Sequence, residues 1–106
     1  MRQAEVLVNK IVAGTLTETD DGRYVFRYND AYLASTELPA ISLAFPKRRE
    51  EYVSDELFSF FFNMLSEGAN KAAQCRTLKI DEQDAFGLLL ATARYDTIGA
   101  VTINEL

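Results

Sequence analysis

Residues 55–68 read DELFSFFFNMLSEG and hold Leu57, Phe58, Phe60, Phe61, Phe62, Met64 and Leu65, the densest concentration of large apolar side chains in the chain. At helical spacing, Leu57, Phe61 and Met64/Leu65 fall on one stripe, with Phe58 and Phe62 flanking it. A helix apolar almost all round belongs at the centre of a small domain, with a sheet on one side and helices on the other. Ser54 or Asp55 is the expected cap at its start, and Gly68 the expected left-handed stop.

Working outward, both flanks supply the rest of such a domain. Towards the N-terminus, Ala4, Val6 and Val8 alternate with Glu5, Leu7 and Asn9, the period of a strand. Asn9-Lys10 forms a tight turn into a second strand over 11–17, where Gly14 marks a bulge or a close backbone approach. Asp21-Gly22 turns the chain again into RYVFRY at 23–28, completing a three-stranded meander. Residues 29–35 suit a single helical turn. The apolar AISLAF at 40–45, between Pro39 and Pro46, fits a further edge strand, and 47–52 a charged loop. Towards the C-terminus, 69–79 is rich in helix formers. Asp81 caps a last helix, with Asp84 at its third position, and 98–103 alternates as a closing strand that returns to the sheet. The expected fold class is α+β: one domain spanning 1–106, a small antiparallel sheet of opening meander and C-terminal strand packed with about three helices.

Composition narrows the function. In 106 residues, acids outnumber bases 16 to 11 for a net charge of -5, which argues against a grip on nucleic-acid phosphates. No apolar run reaches the roughly 18–20 residues of a spanning helix, and charges interrupt the first residues too early for a signal peptide. A lone cysteine, Cys75, agrees with a reducing compartment, so a cytoplasmic protein is expected. The sequence contains no histidine, which excludes Ser-His and Cys-His catalysis. The glycines fit neither phosphate-binding fingerprint, and no kinase signature is present. Asp20-Asp21 and Glu50-Glu51 lack the spacing of a metal site and read as solvated turns. Cys75, on an alanine-rich helical face, reads as a small buried hydrophobe, and Lys47-Arg48-Arg49 as a solvated loop neutralised by the glutamates that follow. No catalytic residue, cofactor or metal is expected. The phenylalanines admit two readings, core or partner-binding patch, because a chain of this size struggles to cover Phe58, Phe60 and Phe62 together.

Several segments together resemble the N-terminal subdomain of the HipA family of serine/threonine kinases, the toxins of bacterial toxin-antitoxin operons. They are the opening hairpin VLVNKIVAGTLT, the strand YVFRYND, the segment LPAISLAFP with Pro46, and the closing stretch LKIDEQDAFGLLLATARYDTIGAVTI. Most specific is FFFNMLSEG, which is similar to the family's Phe-Phe-x-Asn-Leu-Leu-Pro-Glu-Gly. Ser66 stands where the family has proline, and Arg94-Tyr95-Asp96 where it has a Gly-Arg-Asp type of turn. In full-length kinases of this type several hundred residues carrying the ATP site follow; here none follow Leu106. The resemblance therefore implies the split arrangement, in which a HipS-like protein accompanies a separate HipT-like kinase and a HipB-like helix-turn-helix DNA-binding protein.

On that resemblance the chain is expected to be a non-catalytic antitoxin that binds and restrains the separately encoded kinase. The expected partner contacts are Glu67, Gly68, Asn70, Lys71, Arg94, Tyr95 and Asp96, polar groups at element ends. The structural reading of the same residues stays open, since Gly68 serves equally as a helix cap and Asp96 as a turn residue. Two other functions remain beside the antitoxin: a structural subunit that completes the kinase and supports its activity, or a module that self-associates through its phenylalanines.

Overall fold

The computed structural model describes residues 1–65, 68–92 and 101–106, with side chains from 71 onwards in the second segment. Its first half is the expected meander: β1 (Arg2–Val8), β2 (Ile11–Glu18) and β3 (Tyr24–Tyr28). Asn9 and Lys10 both take positive φ, 50° and 70°, as a two-residue hairpin turn requires. Register shifts after Val6, which faces Gly14 while Leu7 faces Val12, so the bulge falls on Ala13. Gly14 is there because a Cβ would stand 2.3 Å from the Arg27 carbonyl oxygen of the neighbouring strand.

After the helical turn α1 (Asp30–Ala34) the structure departs from expectation. Residues 40–45 are not an edge strand. The fourth strand is instead β4 (Tyr52–Ser54), which begins on the last residue of the segment expected to be a charged loop and pairs with β3. The reason lies in where the loop's backbone groups find partners. The Tyr28 hydroxyl donates to the Phe45 carbonyl and accepts from the Ile41 N–H at 3.0 Å. Tyr32 donates to the Pro39 carbonyl at 2.6 Å, and Tyr52 to that of Pro46. Lys47 Nζ donates to the carbonyls of Ser35 and Leu38, at 2.6 and 2.9 Å, beneath the Tyr32 ring. Three tyrosines and a lysine thus supply what a strand ladder would have supplied.

The phenylalanine segment is also less helical than its spacing suggests. Only α2 (Ser59–Phe62) is helix, with Phe58 as its N-cap and Asn63 as its C-cap. Ser54 does not cap it: Ser54 Oγ accepts the Glu56 N–H at 3.2 Å, closing a turn straight after β4. Phe61 is fully buried, and Met64 and Leu65 nearly so, as the stripe predicts, while Phe62 remains 45% exposed. Gly68 does not end a helix but opens the next, α3 (Gly68–Leu78). That helix closes through Lys79 at φ 58°, with the Ile80 N–H reaching back to the Cys75 carbonyl at 2.9 Å. Cys75 is buried, as its alanine-rich face implies.

The last helix, α4 (Ala85–Thr92), starts later than expected. Asp81 makes a turn, accepting the Gln83 N–H at 2.8 Å, and Asp84 is the true cap, accepting the Gly87 N–H at 3.0 Å. Arg2 holds it there. Its guanidinium donates to both Asp84 oxygens, at 3.0 and 2.8 Å, and to Glu18 at 2.8 Å, lying over the Phe86 ring. These hydrogen bonds lower the Asp84 pKa from its ordinary 3.8 and raise that of Arg2. β5 (Val101–Glu105) then pairs antiparallel with β1, giving the strand order β4-β3-β2-β1-β5. The fold is therefore α+β, a five-stranded antiparallel sheet with four helical segments among the described residues. Ala4, Val6, Leu16, Phe26, Tyr28, Val101 and Ile103 pack from the sheet against Phe61, Phe86, Leu88 and Leu89 from the helices. The turn expected over 94–97 and the start of the closing strand at 98 lie outside the described residues.

Three expectations follow. Replacing glycine by alanine inside a helix normally gains about 1 kcal/mol. In Gly87→Ala the new Cβ would stand 2.2 Å from Asp84 Oδ2, so thermal unfolding should instead show a loss of about 1 kcal/mol, the worth of a cap. In an Asp84→Ala background the same change should become stabilising, and a gain in both backgrounds would refute the cap. A carboxyl whose folded pKa is depressed stabilises the fold above its ordinary pKa, and that contribution disappears as pH falls through the folded value. Denaturant titrations from pH ~7 to ~2 should therefore show Asp84→Asn weaker than wild type at neutral pH and converging on it in acid. Tyr28→Phe leaves a buried carbonyl and a buried N–H unpaired and should cost about 1–3 kcal/mol, with exchange protection of the Ile41 amide falling more than that of β2.

Candidate partner-binding surface

The expected contact residues are distributed along the second half of the chain. Gly68 and Asn70 lie in the first turn of α3, and Lys71 follows them, half-buried. Glu67, Arg94, Tyr95 and Asp96 lie outside the described residues.

The described residues offer a different concave surface that the sequence reading did not single out. A groove of about 570 Å³ runs between the β2–β3 loop, the stretch entering α2 and the start of α4. Tyr24, Leu57, Phe62 and Ala85 form its apolar lining, and Asp55, Glu56, Asn63 and Gln83 its polar one. Tyr24 is fixed from behind by a 3.3 Å hydrogen bond to Glu18 and by the Phe86 ring, with centroids 6.1 Å apart. Burial and the nearby Glu18 carboxylate raise its pKa, so it stays a neutral phenol. Asp55 lies in the open, 90% exposed, 3.6 Å from Arg23 Nε. Two sequence signals pointed here: the excess of phenylalanine over what a small core can cover, and the acidic pair before it, which reads more readily as a helix cap.

Elsewhere the tyrosine-tied loop projects Leu43, fully exposed at its tip beside Pro39, Ala40 and Pro46. A cleft of about 560 Å³ at the α3–α4 corner is lined by Ala72, Cys75, Arg76, Lys79, Ile80, Asp81 and Glu82. The charged loop is less free than its composition implies. Lys47 is tied down as described, and Arg48 lies 3.8 Å above the Tyr52 ring. Among the described residues no three carboxylates or thiols gather as a metal site. No helix among them is long and apolar enough to cross a membrane. These surfaces present carboxylates, amides and apolar rings in contact-sized depressions, an arrangement suited to binding another protein.

Comparison with known proteins places the chain. The family described as the HipA N-terminal domain matches residues 4–104. An uncharacterized protein of Haemophilus influenzae is 33% identical over 105 residues, an alignment that covers 99% of this chain and 93% of the relative. A solved structure described as the N-terminal domain of HipA toxin superposes with a TM-score of 0.73 at 28% identity, covering 100% of this chain and 93% of the other. A match across nearly the whole length, in sequence and in fold, makes the chain a member of the HipA N-terminal domain family.

Proposed function

We propose that this chain is a single-domain, non-catalytic, antitoxin-like component of a split HipA-type toxin-antitoxin system in the bacterial cytoplasm. It binds a separately encoded HipA-like serine/threonine kinase and restrains it, with a helix-turn-helix DNA-binding protein as a further member of the complex. The observation that carries this reading is the family match over residues 4–104, together with a relative of which this chain covers 93%. A domain that packs on a kinase lobe within one polypeptide keeps the surface for that lobe when it is encoded apart. The absence of histidine from the sequence, which removes the commonest general base, supports a binding role over a catalytic one.

The contact residues proposed for this function are Glu67, Gly68, Asn70, Lys71, Arg94, Tyr95 and Asp96. Co-expression with the kinase encoded beside it tests the proposal through growth and kinase autophosphorylation. Rescued growth with a stable complex is the expected result. A stable complex with undiminished toxicity would make the chain a supporting subunit of the kinase. No complex at all, with self-association of the chain alone, would leave the module that binds its own kind. Within a complex, Glu67→Lys and Arg94→Glu should each weaken binding about tenfold, chiefly through faster dissociation. Affinities equal to wild type would move the interface away from these residues.

A further inference from the structure

We propose that the groove between the β2–β3 loop, residues 55–63 and the start of α4 is a docking slot for a cationic segment of the kinase, an Arg or Lys flanked by an aliphatic side chain. This rests on the reading of the chain as a kinase-binding protein and names the chemistry of one of its contacts.

Two features define the occupant. The floor is apolar, with Tyr24, Leu57 and the half-exposed Phe62 side by side, so it accepts hydrocarbon. The rim is acidic. Asp55 and Glu56 line the groove and Asp21 stands beside it, against the single guanidinium of Arg23, whose Nε is 3.7 Å from Asp21 and 3.6 Å from Asp55. Asp20 adds nothing to that balance, because the terminal ammonium occupies it at 2.6 Å. Among the described residues three carboxylates stand against one cation, which leaves the rim negative. An apolar floor under an anionic rim matches a side chain whose alkyl stem lies on rings while its charged head reaches the edge, which is how Arg and Lys bind. An acidic or purely aliphatic segment would leave the carboxylates unmatched.

Asp55 and Glu56 are exposed and Phe62 is half-exposed, so the variants are expected to fold. Binding of the co-expressed kinase is measured by biolayer interferometry at low and high salt for wild type, Asp55→Lys/Glu56→Lys and Phe62→Ser, with circular dichroism confirming the fold. The charge reversal is expected to weaken binding at least about tenfold and to flatten its salt dependence, and Phe62→Ser to weaken it about fivefold with the salt dependence intact. A wild type that binds no kinase overturns the kinase-partner reading and this one with it. Kinase binding that all the variants retain at wild-type strength and salt dependence overturns the slot alone. Groove substitutions that dissociate a homodimer while sparing kinase binding also overturn it, by making the occupant a second copy of the chain.

Discussion

Three rings, Phe26, Phe45 and Phe61, meet at the middle of this protein, and each comes from a different kind of structure. Phe26 belongs to the sheet, Phe45 to the tyrosine-tied loop and Phe61 to the short helix, with centroids 5.3 to 6.0 Å apart. Their mutual burial is what lets a loop stand where a strand or helix would ordinarily cover the sheet. The ring of Phe45 can occupy that place only because Tyr28 and Tyr52 hold the carbonyls of Phe45 and Pro46. Burial of the Tyr28 hydroxyl pushes its pKa up to about 12, so the phenol remains a donor throughout the physiological range. Aromatic contact and polar tether are therefore one device, since the rings gain their packing only if the tethers supply the loop's hydrogen bonds.

That device also explains where sequence reasoning succeeded and where it stopped. Alternation over β1 to β3 and the Asn9-Lys10 turn were legible because strand period and turn chemistry are local. The bulge beside Gly14 was legible for the same reason. Residues 40–45 alternate just as well, yet form no strand, because the decisive partners lie 13 to 17 positions upstream in Tyr28. Tyr52 looks like the end of a charged loop until β3 offers it and Val53 an edge. The phenylalanine stretch carries a helical stripe that correctly picked Phe61, Met64 and Leu65 for the core. Its length was overestimated because Ser54 closes a turn after a strand instead of capping a helix. Asp84 was placed three positions too deep in the last helix, since only the fold reveals that Arg2 waits for it 82 residues away. The groove was half visible, as surplus phenylalanine next to acid. Its two sides come together only through the β2–β3 loop and α4.

The surface divides along similar lines. One face of the sheet is committed to the core. The other carries Gln3, Thr15, Thr17 and Arg27, an uncommitted polar expanse. Apolar exposure is concentrated at edges and tips, in Leu43, Val53 and Phe62. A domain meant to sit against a larger partner has reason to keep such side chains at its margins, where the partner rather than its own core covers them.

The pairing of β5 with β1 has a consequence for synthesis. β1 is the second strand from one edge of the sheet, and the partner on its open side is supplied by residues 101–105, the register running from Ala4 opposite Glu105 to Val8 opposite Val101. While the chain is on the ribosome, β1 and β2 can already form their hairpin, but the outer edge of β1 keeps its amides and carbonyls unpaired until those late residues emerge. A nascent or prematurely truncated chain thus displays a sticky strand edge, a form that proteases and chaperones recognise. Emergence of residues 101–105 is itself the step that hides that edge.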